Sequence, residues 1–184
     1  DDVEGVEELY HEALYVATHG RPGPVNIDIP KDIQFTEVSE NYNFDHEKYA
    51  PDLPGFKQKL EATDEEISEA MELINKSERP VIFCGHGVRL SNSGQDLVKF
   101  AESVNAPIAT TIHGLTAFDS THPLHLGWMG MHGMVEANRA IQHADLIISF
   151  GMRFDDRVTG KLEEYAKDAD VIHVEIDPSE IDKN

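Results

Sequence analysis

Arg153, Asp155, Asp156 and Arg157 stand within five residues of one another in Gly151-Met-Arg-Phe-Asp-Asp-Arg-Val-Thr-Gly160. Guanidinium groups are fork-shaped donors suited to phosphate or carboxylate, and carboxylates accept hydrogen bonds from ribose hydroxyls. The opposite reading is a surface loop of self-compensating ion pairs. Position favours the first, because the run Ala144-Asp-Leu-Ile-Ile-Ser-Phe150 just before it has the length and apolar content of a buried parallel strand. In open α/β sheets, ligands sit beyond the carboxyl ends of the strands.

Three other strand-like segments end in similar chemistry: Gly85-His-Gly87, Thr111-Ile-His-Gly114 and Glu175-Ile-Asp-Pro178. Glycines allow backbone to approach a ligand, and N–H groups at helix starts attract phosphate. Neither a Gly-x-Gly-x-x-Gly fingerprint nor a phosphate loop of the Gly-x-x-x-x-Gly-Lys kind is present. Taken together, the four ends point to a dinucleotide bound in extended form across one sheet edge.

The elements that must position these residues can be read from periodicity. Val3 to His19 has helical spacing closed by Gly20, and Val25-Asn-Ile-Asp-Ile29 alternates as a strand stopped by Pro30. Residues 31 to 62 have scattered prolines and no period, and read as a linker. Thr63-Asp-Glu-Glu66 is a capping box opening a helix. Strands are predicted at 80–84, 107–111, 146–150 and 171–176, with helices at 91–104 and 134–143 between them. Alternation of this kind implies an α/β fold, a Rossmann-like, mainly parallel sheet with helices on both faces. The domain boundaries expected are 1–35, a linker at 36–61, and 62–184.

Composition narrows the class. A net charge of −20 over 184 residues argues against a nucleic-acid partner. No apolar run is long enough for a membrane span and no signal-peptide pattern is present, so a soluble, cytoplasmic protein without a membrane partner is expected. The single cysteine, Cys84, fits a reducing setting and reads as a buried small hydrophobe. His113, His122, His125 and His132 lie close in sequence but lack ligand spacing, so loop packing or ligand hydrogen bonding is favoured over a metal. The chain starts at Asp1 without an initiator methionine and reads as a piece of a larger protein.

Four motifs carry a resemblance: Gly20-Arg-Pro-Gly-Pro-Val-Asn-Ile-Asp-Ile-Pro-Lys-Asp-Ile33, Gly130-Met-His-Gly133 with Glu136-Ala-Asn138, Gly151 to Gly160, and Ile172-His-Val-Glu-Ile-Asp-Pro178. In this order they resemble the acetolactate synthase (acetohydroxyacid synthase) large catalytic subunits, a family of thiamine-diphosphate enzymes. The resemblance implies that residues 1–35 end a pyrimidine-binding domain and that 62–184 are most of a central domain binding FAD. It implies condensation of pyruvate with a second 2-oxo acid in branched-chain amino acid biosynthesis. It also implies a homo-oligomer, a dimer or tetramer, with a small regulatory subunit as a further partner. Thiamine diphosphate and Mg2+ would bind outside this chain, no catalytic residue would lie in it, and the segment alone would be inactive. FAD contacts would fall on Arg21, Gly85, Gly87, Thr111, Ile112, Gly130, Met131, His132, Gly151, Met152, Arg153, Asp155, Glu175 and Ile176. Arg157 and Lys31 would face the substrate entrance. Many family members have three consecutive glycines where this chain has Gly85-His86-Gly87. The alternative is the central domain of another thiamine-diphosphate carboligase or oxidase, against which Phe154-Asp-Asp-Arg157 speaks.

Overall fold

The computed structural model describes residues 3–45 and 61–183. The chain divides into two compact units, residues 1–61 and 62–184.

In the first unit, α1 (Val6–Thr18) ends as its sequence predicts, with Gly20 at φ +62° just beyond it. The short helix α2 (Lys31–Gln34) follows Pro30. Residues after it fold back: the Tyr42 hydroxyl donates to the Glu4 carbonyl (2.8 Å) and the Glu7 carboxylate (3.0 Å), and Phe44 stacks on His11. Part of the segment expected as a linker, 36–45, thus contacts α1 and the turn before it, and 46–60 lies outside the described residues. The strand expected at Val25–Ile29 is not formed. A strand needs a ladder partner, and no described residue of this unit supplies one. Val25–Asp28 instead borders a cleft with Leu9, Glu12, Ala13 and Val16 of α1.

The second unit opens with α3 (Asp64–Lys76), whose capping box is complete. Thr63 N–H donates to Glu66 Oε2 at 2.7 Å, and Glu66 N–H to Thr63 Oγ1 at 3.2 Å. Then come β1 (Pro80–Cys84), α4 (His86–Leu90), α5 (Gly94–Val104), β2 (Ile108–Thr110), β3 (His125–Trp128), α6 (Val135–His143), β4 (Leu146–Phe150), α7 (Asp156–Thr159) and β5 (Asp170–Val174). The four strands expected from the sequence share one sheet. Its order is β3-β2-β1-β4-β5, and every pairing is parallel.

Three expectations need correction. The helix expected from Ser91 starts at Gly94, and His86 already opens α4, so Gly85-His-Gly87 leads directly into a helix. The last strand ends at Val174, leaving Glu175 and Ile176 beyond it. β3 was not expected: His-Leu-Gly-Trp is short, half-buried and interrupted by Gly127 at φ +88°.

Alternation along β1 explains the layers. Val81 and Phe83 face a cluster with Ala137 and Ile141 of α6, while Ile82 and Cys84 face one with Leu97 and Ala101 of α5. Both faces being covered, the strand has no polar side. Burial of each large side chain contributes about 1.5–3 kcal/mol. From β1 the chain steps outward to β2 and β3, then α6 returns it across the opposite face to β4. That reversal is the topological switch point, and it lies between β1 and β4.

Asp145 locks the opposite end of the sheet. Its carboxylate accepts the Ser77 hydroxyl and the N–H groups of Glu78 (2.9 Å) and Arg79 (3.0 Å). Burial opposes ionisation, but these donors outweigh it and hold the carboxyl below its ordinary value. The contribution is thus fully present above the unfolded value of about pH 4 and fades as pH falls through the lower folded value. Asp145→Ala should cost about 1–2 kcal/mol at neutral pH. In chemical denaturation across pH, the variant's deficit should narrow in acid; a constant deficit would show that ionisation is not involved.

Candidate functional site

The carboxyl ends of β1 and β4 are stitched together by their glycine segments. Gly85 N–H donates to the Phe150 carbonyl (2.9 Å), Gly87 N–H to the Gly151 carbonyl (2.8 Å), and Gly151 N–H to the Val174 carbonyl (2.8 Å). A Cβ at Gly85 would lie 2.2 Å from the Gly151 oxygen, and one at Gly87 would lie 2.7 Å from the Gly151 Cα. These glycines are therefore required for backbone to approach backbone, a different use from the approach to a ligand read from sequence. Gly151 adds a second requirement, φ +56°.

Segment 151–157 starts at this crossing and ends beside a second loop. Met131 N–H donates to the Arg157 carbonyl at 3.1 Å, and a Cβ at Gly130 would meet that same oxygen at 2.9 Å. Asn138 of α6 holds Gly130 from both sides: its Oδ1 accepts the Gly130 N–H (3.0 Å) and its Nδ2 donates to the Gly130 carbonyl (3.1 Å). Asn138 stood in a sequence motif without a role; the structure makes it the residue that positions Gly130–His132. The structure thus brings Gly85, Gly87 and Gly151 together, and Gly130 and Met131 together with Arg157.

Within the segment, anchors alternate with outward groups. The Met152 side chain is buried in the core, so only its backbone can meet a ligand. Its carbonyl lies 2.9 Å from His173 Nε2, and the Phe154 ring packs edge-on against Phe83, Tyr165 and His173. His173 went unrecognised as an anchor, although a histidine inside the apolar run of β5 was its signal. Arg153 pairs with Asp155 at 3.2 Å and approaches Glu180 at 3.9 Å. Arg157 points into solvent with 76% of its side chain exposed, its Nε 3.9 Å from Asp156 Oδ1. That separation exceeds hydrogen-bond reach.

The other predicted residues divide clearly. Thr111 Oγ1 accepts the Gly114 N–H at 3.1 Å and caps the 3-10 turn Ile112–Gly114. Glu175 Oε1 accepts the N–H groups of Ile176 (2.9 Å) and Asp177 (3.3 Å), shaping the turn after β5. Ile112, Met131 and Ile176 are exposed apolar side chains and His132 is exposed, a composition suited to a flat ring with polar substituents. Arg21 and Lys31 belong to the first unit, where Lys31 Nζ stands 5.8 Å from the Phe35 ring centre. Outward apolar groups beside the Arg153 guanidinium suit an anionic ligand that carries a flat ring.

The remaining polar groups serve packing. His122 Nε2 lies 3.3 Å from Glu102, and His125 Nδ1 lies 3.0 Å from the Ser120 carbonyl. Among the described residues, no group of three or more His, Cys, Asp or Glu side chains could hold a metal. Cys84 is buried in β1, and burial pushes its thiol up to about 12, leaving it protonated at neutral pH. No described helix is long and apolar enough to cross a membrane.

Residues 67–184 match the family described as thiamine pyrophosphate enzyme, central domain. The chain is 45% identical over 185 residues to the probable acetolactate synthase large subunit of Methanocaldococcus jannaschii, covering 98% of this chain and 30% of that protein. It is 42% identical over 185 residues to the chloroplastic acetolactate synthase of Arabidopsis thaliana, covering 100% of this chain and 27% of that protein. The chain therefore spans less than a third of the length of these relatives. A parallel sheet with ligand-suited strand ends, matched to this family along most of its length, makes the chain a member of the thiamine pyrophosphate enzymes, carrying their central domain.

Proposed function

We propose that this chain is part of an acetolactate synthase large subunit and that its second unit binds FAD at the carboxyl edge of the sheet. The observation that carries the reading is segment 151–157, which starts at the glycine crossing beside the switch point and ends at the loop held by Asn138. Relatives named acetolactate synthase support the assignment to that enzyme. In the proposed reaction two 2-oxo acids, pyruvate with pyruvate or with 2-oxobutyrate, would join with loss of CO2. Thiamine diphosphate with Mg2+ would supply the carbanion chemistry of that step. Arg153 would meet the FAD diphosphate, Ile112 and Met131 its rings, and Glu175 and Asp155 its hydroxyls. Arg157 would hold the carboxylate of the incoming 2-oxo acid. In the first unit, taken by itself, Lys31 is proposed as a substrate contact and Arg21 as an FAD contact. A homo-oligomer in a cytoplasmic setting, with a regulatory subunit as a further partner, belongs to the same proposal.

Titration of the full-length polypeptide with FAD, followed by flavin fluorescence, tests the cofactor assignment. A saturable change is expected. Its absence would refute FAD binding at this edge.

A further inference from the structure

The glycine crossing carries an exposed residue between its first two glycines, His86, and the next strand end carries His113, exposed as well. The two rings face each other with centroids 5.7 Å apart and planes inclined at 43°. They meet because α4, which His86 opens, packs on the 3-10 turn that contains His113. Packing does not require the rings: both are exposed, and among the described residues neither is hydrogen-bonded. An imidazole pair thus stands at the sheet edge where the nucleotide is proposed to bind.

Charge gives the pair its task. A diphosphate must approach a chain of net charge −20. Arg153, the guanidinium at the crossing, is already offset by Asp155 and Glu180. α4 itself adds Arg89, and α5, which packs on α4, carries Asp96 and Lys99, paired at 3.1 Å, and Glu102, which lies 3.3 Å from His122. Carboxylates and guanidinium groups keep their charge between about pH 6 and pH 8, whereas imidazole gains one there. Two imidazolium rings this close repel one another, and an anion beside them relieves that repulsion.

We infer that His86 and His113 together contact the phosphate-bearing part of the bound nucleotide, an inference that rests on the nucleotide reading above. The probe is FAD, whose bridging diphosphate keeps its charge across the interval. Its dissociation constant is measured on the full-length polypeptide at about pH 6 and about pH 8. The wild type should bind roughly tenfold more tightly at the lower pH, where imidazole offers more positive charge to the diphosphate. In the double variant His86→Gln, His113→Gln the ratio should fall severalfold, His132 being the imidazole that remains near the site. Should that variant lose its far-ultraviolet circular dichroism, the two single variants carry the same comparison. Saturable binding with equal pH ratios in wild type and variants overturns the inference and leaves the nucleotide reading standing. No saturable FAD binding at either pH overturns both.

Discussion

Gly151→Ala is expected to destabilise the second unit by about 3 kcal/mol or more, enough to lower its melting temperature by about 10 °C. Two costs combine. The residue sits at φ +56°, where a side chain strains the backbone, at about 1–2 kcal/mol. The added Cβ would also lie 2.6 Å from the Gly87 Cα and 3.0 Å from the Val88 nitrogen. Neither neighbour is a flexible side-chain tip, so the strand ends must separate. Gly85→Ala should act alike, its Cβ being 2.2 Å from the Gly151 oxygen. Gly23→Ala is the control: nothing lies within 4 Å of its Cβ position, and the change should stay within about 0.5 kcal/mol. Thermal melts by circular dichroism make the comparison. If Gly151→Ala melts with the wild type, the close crossing of β1 and β4 is wrong.

Arg157→Ala should instead spare the fold and depress the reaction. The side chain is 76% exposed and its nearest carboxylate is 3.9 Å away, so the pair contributes about 0–1 kcal/mol to stability. Its backbone is a different matter, since the Arg157 carbonyl receives the Met131 N–H, and alanine preserves that bond. If the guanidinium holds the 2-oxo acid carboxylate, losing it costs about 1.5–3 kcal/mol. The full-length enzyme should then lose an order of magnitude or more in kcat/KM for acetolactate formation. Arg157→Lys should recover only part, because an ammonium keeps the charge without the bidentate fork. Unaltered turnover with a clearly lower melting temperature would make Arg157 a structural residue.

What the chain determines locally was legible in its residues. β1, β2, β4 and β5 could be located because most of them are continuous apolar runs, the pattern of strands covered on both faces. The capping box at Thr63 and the left-handed Gly20 were equally readable, since each is decided within a single turn of chain. That Gly85, Thr111 and Gly151, candidate site residues, stand just beyond strand ends followed from the same local signals. β3 was hidden because its half-buried His-Leu-Gly-Trp owes its strand form to pairing with β2 across a register shift. Val25–Ile29 erred in the opposite sense: its alternation is that of a strand, yet backbone N–H and C=O groups form a ladder only against a neighbour.

The tertiary structure alone decided how the strand ends are used. Gly85, Gly87 and Gly151 lie far apart in sequence, and nothing in their spacing shows that their backbones cross. Asn138 clasping Gly130, and His86 facing His113, likewise depend on which helix packs beside which strand end. Periodicity reports which face of an element is buried. Contacts between distant loops are set by strand order and crossover, which a one-dimensional pattern does not encode.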